Sequence, residues 1–231
     1  MKIIVLAGGL STERDVSLSS SAGICRTLLE KGHDAFLLDV FMGFPYEKDR
    51  LEEVFTLPDH GLDIVKNISE EEPDLAAVKA SRPDQSDCFL GPNVIELCRM
   101  ADITFLGLHG GEGENGKLQA TFDLLGIRYT GPDSLGCAIA MDKGVTKQIF
   151  QQAGVDTPKG VCIHKNKKKK ELDDLGLTLP VVVKPCSGGS SIGVYIPQTE
   201  AEYKTAVEES FKYEDGGGIR RSFGKFIPLR G

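Results

Sequence analysis

At 231 residues with 40% hydrophobic side chains, the chain has ample core for one large domain or two of ordinary size. A formal charge of −7 argues against a nucleic-acid partner by bulk electrostatics, and no window approaches the roughly 18 apolar residues of a membrane span. Six scattered cysteines (Cys25, Cys88, Cys98, Cys137, Cys162, Cys186) form no CxxC pair and no Cys/His cluster at metal spacing, so they read as thiols in a reducing cytoplasm.

In chain order, Ile3–Ala7 is a short apolar run closed by Gly8-Gly9, as expected for the first buried strand of a parallel sheet. The loop GGLSTERDVSL opens a helix expected over about Leu18–Glu30, with Ser17 or Ser19 as cap and Gly32 as terminator. Ala35–Val40 (AFLLDV) is a second strand, so the chain opens as βαβ. The first turn is not GxGxxG and marks no dinucleotide site; its unusual feature is Glu13-Arg14 at a strand's carboxyl end, where open α/β sheets place ligands. A solvated ion pair between these two is the plainer reading. Phe41–Asn93 is rich in Pro, Asp and Glu, and is expected to form loops with one or two short helices.

Val94–Ala101 reads as a short helix and Ile103–Leu108 as a strand running into HGGEGENG, His109 to Gly116. A histidine and glutamates on a glycine-rich loop at a strand's end suit a zwitterionic ligand, while one histidine without a second nearby does not make a metal site. A helix over Leu118–Leu125, a short strand over Ile127–Tyr129 and the turn Gly131-Pro132 close the first domain. Ser134–Gly154 reads as helical in two pieces, with Lys143 near the start of the second. A lysine there opposes the helix dipole, which makes Lys143 either a phosphate contact or merely exposed.

Lys159–His164 is expected as a strand and Lys170–Leu175 as a short helix, with the basic run Lys165–Lys170 a solvated turn. Leu179–Val194, LPVVVKPCSGGSSIGV, combines a β-branched strand, Lys184 at its end, a proline that stops the ladder, and a loop of Gly188, Gly189, Ser190, Ser191 and Gly193 whose amides suit a phosphate. The order of lysine before glycines is the reverse of a P-loop. Val194–Ile196 returns antiparallel, and Thr199–Tyr213 is an amphipathic helix with Thr199 as cap and Glu202 at the capping-box position.

Taken together, GGLSTERDVSL, HGGEGENGKLQ, YTGPD, MDK and LPVVVKPCSGGSSIGV resemble the D-alanine–D-alanine ligase family of the ATP-grasp superfamily, from Met1 to about Asp215. The resemblance implies an α/β fold: an N-terminal doubly wound parallel-sheet (pre-ATP-grasp) domain over 1–132, then the central ATP-grasp α+β subdomain over 133–215, with the last ATP-grasp subdomain missing. It implies that Glu13 holds the ammonium of the first D-alanine, with His109 and Glu114 on the substrate side. Lys143 and Lys184 would contact ATP phosphates. Ser190 would link Glu13 to the lid, and Gly189, Ser191 and Gly193 would belong to the phosphate-covering loop. The implied reaction, part of peptidoglycan precursor synthesis, forms an acyl phosphate from D-alanine and ATP, which the second D-alanine's amine displaces. The substrates would be D-alanine and ATP with Mg²⁺, and a homodimer would form through the N-terminal domain.

After Asp215 the chain reads GGGIRRSFGKFIPLRG and holds no acidic residue. The family's Mg²⁺ ligands are thus expected to be absent, 216–231 to be a disordered non-family tail, and the truncated chain to be inactive alone. The alternatives are a non-catalytic fragment that binds D-alanine or intact ligase subunits, and a relative that joins D-alanine to D-serine or D-lactate.

Overall fold

The computed structural model describes residues 1–65, 72–163, 171–187 and 193–212, and the backbone of 221–225. Two compact units divide at Cys137/Ala138.

In the first unit, β1 (Lys2–Ala7) is the central strand, paired in parallel with β2 (Asp34–Asp39) on one side and β3 (Ile103–Leu106) on the other. Alternation along β1 sends Ile3, Val5 and Ala7 to one face, where they pack on Leu18, Ala22 and Cys25 of α1 (Arg14–Glu30). Ile4 and Leu6 point to the other face. There they meet α3 (Val94–Met100) through Val94 and Leu97, and α5 (Lys117–Leu125) through Leu118 and Phe122. Helices on both faces explain why the strands read as continuous apolar runs, and the sheet is doubly wound as expected.

Several boundaries differ from the sequence reading. α1 starts at Arg14, four residues before Leu18, because Glu13 N donates to Ser11 Oγ (3.2 Å) and Arg14 N to Ser11 O (3.1 Å), closing the turn early. Ser17 and Ser19 lie inside the helix and do not cap it. Between residues 41 and 93 the chain makes 3₁₀ turns over Lys48–Thr56 and Leu62–Ile64 and a short helix, α2 (Leu75–Ser81). Arg82 pins this region: it is 2% exposed, pairs with Asp84 at 2.7 Å and lies 4.7 Å from the centre of the Phe41 ring. Ile127–Tyr129 contributes only a parallel bridge between Tyr129 and Thr104. The glycine-rich stretch after His109 contains one helical turn, α4 (Gly111–Glu114).

The boundary falls within α6 (Ser134–Met141), and α7 (Lys143–Gln152) is the first element wholly in the second unit. β4 (Gly160–Cys162) and β5 (Val181–Pro185) form the edges of an antiparallel sheet whose middle strand is β6 (Arg221–Lys225). β6 falls within the segment expected to be a disordered tail. Its backbone pairs with two strands at once, which supplies partners for amides and carbonyls that β4 and β5 would otherwise leave open. Tyr195 bridges antiparallel to Val183, as expected of the returning segment. Val181 and Val183 pack on Tyr203, Ala206 and Val207 of α8 (Glu200–Ser210). The short helix expected at Lys170–Leu175 is a 3₁₀ turn over Asp173–Leu175, and the basic run lies outside the described residues.

The cap of α8 is as read. Thr199 Oγ1 accepts from Glu202 N (3.3 Å), and Glu202 Oε2 reaches back to accept from Gln198 N (2.8 Å). Thr199→Ala is therefore expected to cost about 1 kcal/mol. Urea unfolding followed at 222 nm (from circular dichroism of the whole chain) checks it, and an unchanged midpoint would show that the cap is dispensable.

Candidate functional site

In the first unit the parallel register decides which loops meet. Leu6 of β1 lies opposite Leu106 of β3, so the segments leaving these strands, Gly8–Glu13 and Gly107–Glu114, emerge side by side at the carboxyl edge. Ser11 joins them, its hydroxyl donating to His109 O at 2.6 Å. Gly110 follows with φ +69°, and a side chain built there would meet Glu13 Oε2 at 2.9 Å. The Glu13 carboxylate thus lies directly against a backbone that only glycine allows. Ser20 Oγ sits 3.2 Å from His109 Nε2 while donating to Val16 O at 2.8 Å, so it accepts from the Nε2–H. Gly9, Ser11, Phe89, Leu108, His109 and Gly110 line a small cleft between the two loops.

Glu114 closes α4, and its charge together with that of Asp133 acts on Cys137, whose thiol pKa is raised first by burial and then by these carboxylates. Nearer the cleft, Glu112 pairs with Lys117 at 3.3 Å.

Beneath the cleft lie polar residues that sequence reasoning missed. Arg14 does not pair with Glu13: it is 8% exposed, forms a buried ion pair with Asp39, and donates to Gly9 O at 2.7 Å. Asp39 also accepts from Phe41 N (2.9 Å) and Met42 N (3.2 Å). The signal was a single carboxylate ending the apolar run AFLLD. Ser17 Oγ accepts from Gly8 N (3.0 Å) and donates to Gly107 O (2.7 Å), tying both loops to α1; Ser21 Oγ adds a bond to Gly107 O at 3.1 Å. Small polar residues four apart on one helix face were the sequence trace of this arrangement. Ser17→Ala leaves a buried amide without its acceptor and is expected to destabilise the chain by about 1–3 kcal/mol, read as a lower urea midpoint with unchanged slope.

In the second unit Asp142 caps α7, accepting from Gly144 N (2.9 Å) and Val145 N (3.0 Å). This carboxylate answers the electrostatic objection to Lys143 at a helix start. Lys143 is held to the end of β5: its N donates to Cys186 O at 3.0 Å and its Nζ to the same oxygen at 3.4 Å. Lys184 alternates away from Val181 and Val183, onto the face opposite α8. Lys147, one turn beyond Lys143, comes near it. Burial and then the Lys184 charge lower the Lys147 pKa from its ordinary 10.5. Two partly buried ammonium groups within electrostatic reach of each other make this face a candidate anion site. Lys147 was legible as the i+4 neighbour of Lys143 but was not singled out. Gly193, with φ +71°, ends the glycine-rich loop; Gly189, Ser190 and Ser191 lie outside the described residues.

Two family models match in succession, the D-ala D-ala ligase N-terminus over residues 2–132 and the D-ala D-ala ligase C-terminus over residues 149–216. The chain belongs to the D-alanine–D-alanine ligase family. It is 40% identical over 230 residues to the D-alanine–D-alanine ligase of Lacticaseibacillus casei, covering all of this chain and 62% of that protein. Among solved structures, the Bacillus anthracis D-alanine–D-alanine ligase complexed with ATP matches with a TM-score of 0.66 at 25% identity, over 98% of this chain and 57% of its own. The VanG D-Ala:D-Ser ligase of Enterococcus faecalis matches with a TM-score of 0.66 at 26% identity, over 98% of this chain and 62% of its own. The chain thus spans about three fifths of the length of these ligases, and its fold is that of the ATP-grasp family members it matches.

Proposed function

We propose that the chain carries the D-amino-acid site and a polyphosphate site of an ATP-dependent ligase that joins two D-alanines for peptidoglycan precursors. The observation that supports this most is the pairing of the Glu13 carboxylate with Gly110 and the fixed His109 across two sheet-end loops. In this reading Glu13 accepts the ammonium of the first D-alanine and His109 orients its carboxylate. Glu114 lies on the substrate side of the same loop. ATP supplies the phosphoryl group, and Lys143, Lys147 and Lys184 neutralise its phosphates, so catalysis rests on positioning and charge. By resemblance to the family, Gly189, Ser190, Ser191 and Gly193 are assigned to the phosphate-covering loop.

Among the described residues no three His, Cys, Asp or Glu side chains gather to hold a metal. A cytoplasmic location and a homodimer through the first unit complete the reading. Among the described residues no helix is long and apolar enough to cross a membrane.

The test is phosphate release from Mg²⁺–ATP by the purified chain, with and without D-alanine, beside Lys184→Ala. D-alanine-dependent release that the variant lacks is the expected result. Absence of release from a folded chain that still binds D-alanine would replace the ligase by the non-catalytic alternative. The likeness to VanG makes D-serine the acceptor to compare with D-alanine, and D-lactate the next.

A further inference from the structure

We propose that Cys162 and Cys186 form an oxidisable dithiol that switches the phosphate-binding lysines of the second unit; the switching part rests on the polyphosphate reading above. The two sulfurs are 3.9 Å apart, although 24 residues separate them in sequence. A disulfide needs about 2.05 Å, so the sulfurs must close by roughly 2 Å. Cys162 is partly exposed and Cys186 is 2% exposed, which sets the order of events. Cys162 meets the oxidant and Cys186 resolves the product. Cys162 and Lys147 lie within electrostatic reach of each other, although burial and then Lys184 leave the Lys147 pKa lowered overall. Three thiols elsewhere are suppressed: burial pushes Cys25 up to about 11 and Cys98 up to about 12, and it also raises Cys137.

With hydrogen peroxide as oxidant, the Cys162 thiolate sulfur attacks one peroxide oxygen and the O–O bond breaks. Hydroxide leaves, takes a proton and becomes water, and Cys162 becomes a sulfenic acid. The Cys186 thiol then gives up its proton, and its sulfur attacks that of Cys162. The S–S bond forms as the S–O bond breaks, and the expelled hydroxide takes up the proton as a second water. Two thiols are oxidised by two electrons and one peroxide is reduced to two waters.

The consequence for phosphate binding follows from what the two cysteines touch. Cys186 O anchors both Lys143 N and Lys143 Nζ. Cys162 Sγ lies against Gly144, where a Cβ would overlap it, so this sulfur packs on the first turn of α7. Closing the bond therefore displaces either the anchor of Lys143 or the turn that carries it.

The experiment uses the full chain with the exposed Cys88 replaced (Cys88→Ser), treated with graded hydrogen peroxide. Non-reducing peptide mapping by mass spectrometry is run beside binding of a fluorescent ATP analogue. The expected result is a Cys162–Cys186 cross-link, with analogue affinity falling by about tenfold or more as one charge-assisted contact is lost, and returning with dithiothreitol. Cys162→Ser and Cys186→Ser, tested separately so that one folded variant suffices, should bind with peroxide-independent affinity. Oxidation of Cys162 that stops at sulfinic acid without a cross-link overturns the dithiol. A cross-link with unchanged affinity overturns the switch. A reduced chain that binds no analogue overturns the polyphosphate reading and the switch with it, while the cross-link yield still decides the dithiol by itself.

Discussion

Replacing Asp39 by Ala is expected to destabilise the chain by about 3–5 kcal/mol, because it strands a buried guanidinium without its carboxylate. Arg14 is 8% exposed and Asp39 4% exposed, so water cannot readily take the place of either partner. The carboxylate also holds Phe41 N and Met42 N, and the backbone at Gly8 passes so close that a Cβ there would lie 2.8 Å from Asp39 Cγ. The same pair fixes the entrance to the candidate site, since Arg14 grips Gly9 O and follows Glu13 directly. The measurement is a urea denaturation of Asp39→Ala beside the double variant Arg14→Met/Asp39→Leu. The double variant should recover much of the loss, as apolar replacement of a complete buried pair is often near neutral. A single-variant loss below about 1 kcal/mol would show that solvent compensates Arg14 and that the pair behaves as a surface one.

The second large effect is on ligand binding. Lys184→Ala is expected to weaken ATP binding by about 10- to 100-fold, the size of a charge-assisted contact worth about 1.5–3 kcal/mol. It also changes the pH dependence in a definite direction. Lys147 is shifted below 10.5 first by burial and second by Lys184. Phosphate binding needs the ammonium form, so affinity in the native chain falls as pH rises through this lowered pKa. Removing Lys184 takes away the repulsion, lets the Lys147 pKa climb back, and moves the fall-off to higher pH although binding is weaker throughout. Calorimetric titration with ATP across the alkaline range reads both effects. A fall-off that stays at the same pH in Lys184→Ala would show that burial alone shifts Lys147.

Much of the first unit could be read from sequence because its signals are local. Apolar runs that end in glycine mark the strands, and the loops GGLSTERDV and HGGEGENG then converge because β1 and β3 are parallel neighbours. The partner of Arg14 could not be read that way. Asp39 lies 25 residues on, and it comes into reach only because β2 registers Asp39 opposite Ala7. Ser17 looked like a cap because serine at a helix start usually is one, yet the helix begins a turn earlier and frees its hydroxyl for Gly8 and Gly107. The middle strand of the second sheet was missed for a related reason. Arg221–Lys225 has no strand-like pattern of its own, and its conformation comes from two flanking strands rather than from its own residues. Lys147, four residues after Lys143 in the same helical stretch, was legible by spacing and was passed over.

The Asp142 cap has a consequence for how the proposed polyphosphate site would hold its ligand. Helix starts often bind phosphate through their amides, which are fixed dipoles, little affected by ions in solution. At α7 the amides of Gly144 and Val145 are engaged by Asp142. What α7 brings to the ligand is therefore the ammonium groups of Lys143 and Lys147, whose attraction is screened over a Debye length of about 8 Å at physiological ionic strength. Nucleotide affinity should accordingly decline as potassium chloride is raised, which ties occupancy of this half of the site to the ionic strength of its surroundings.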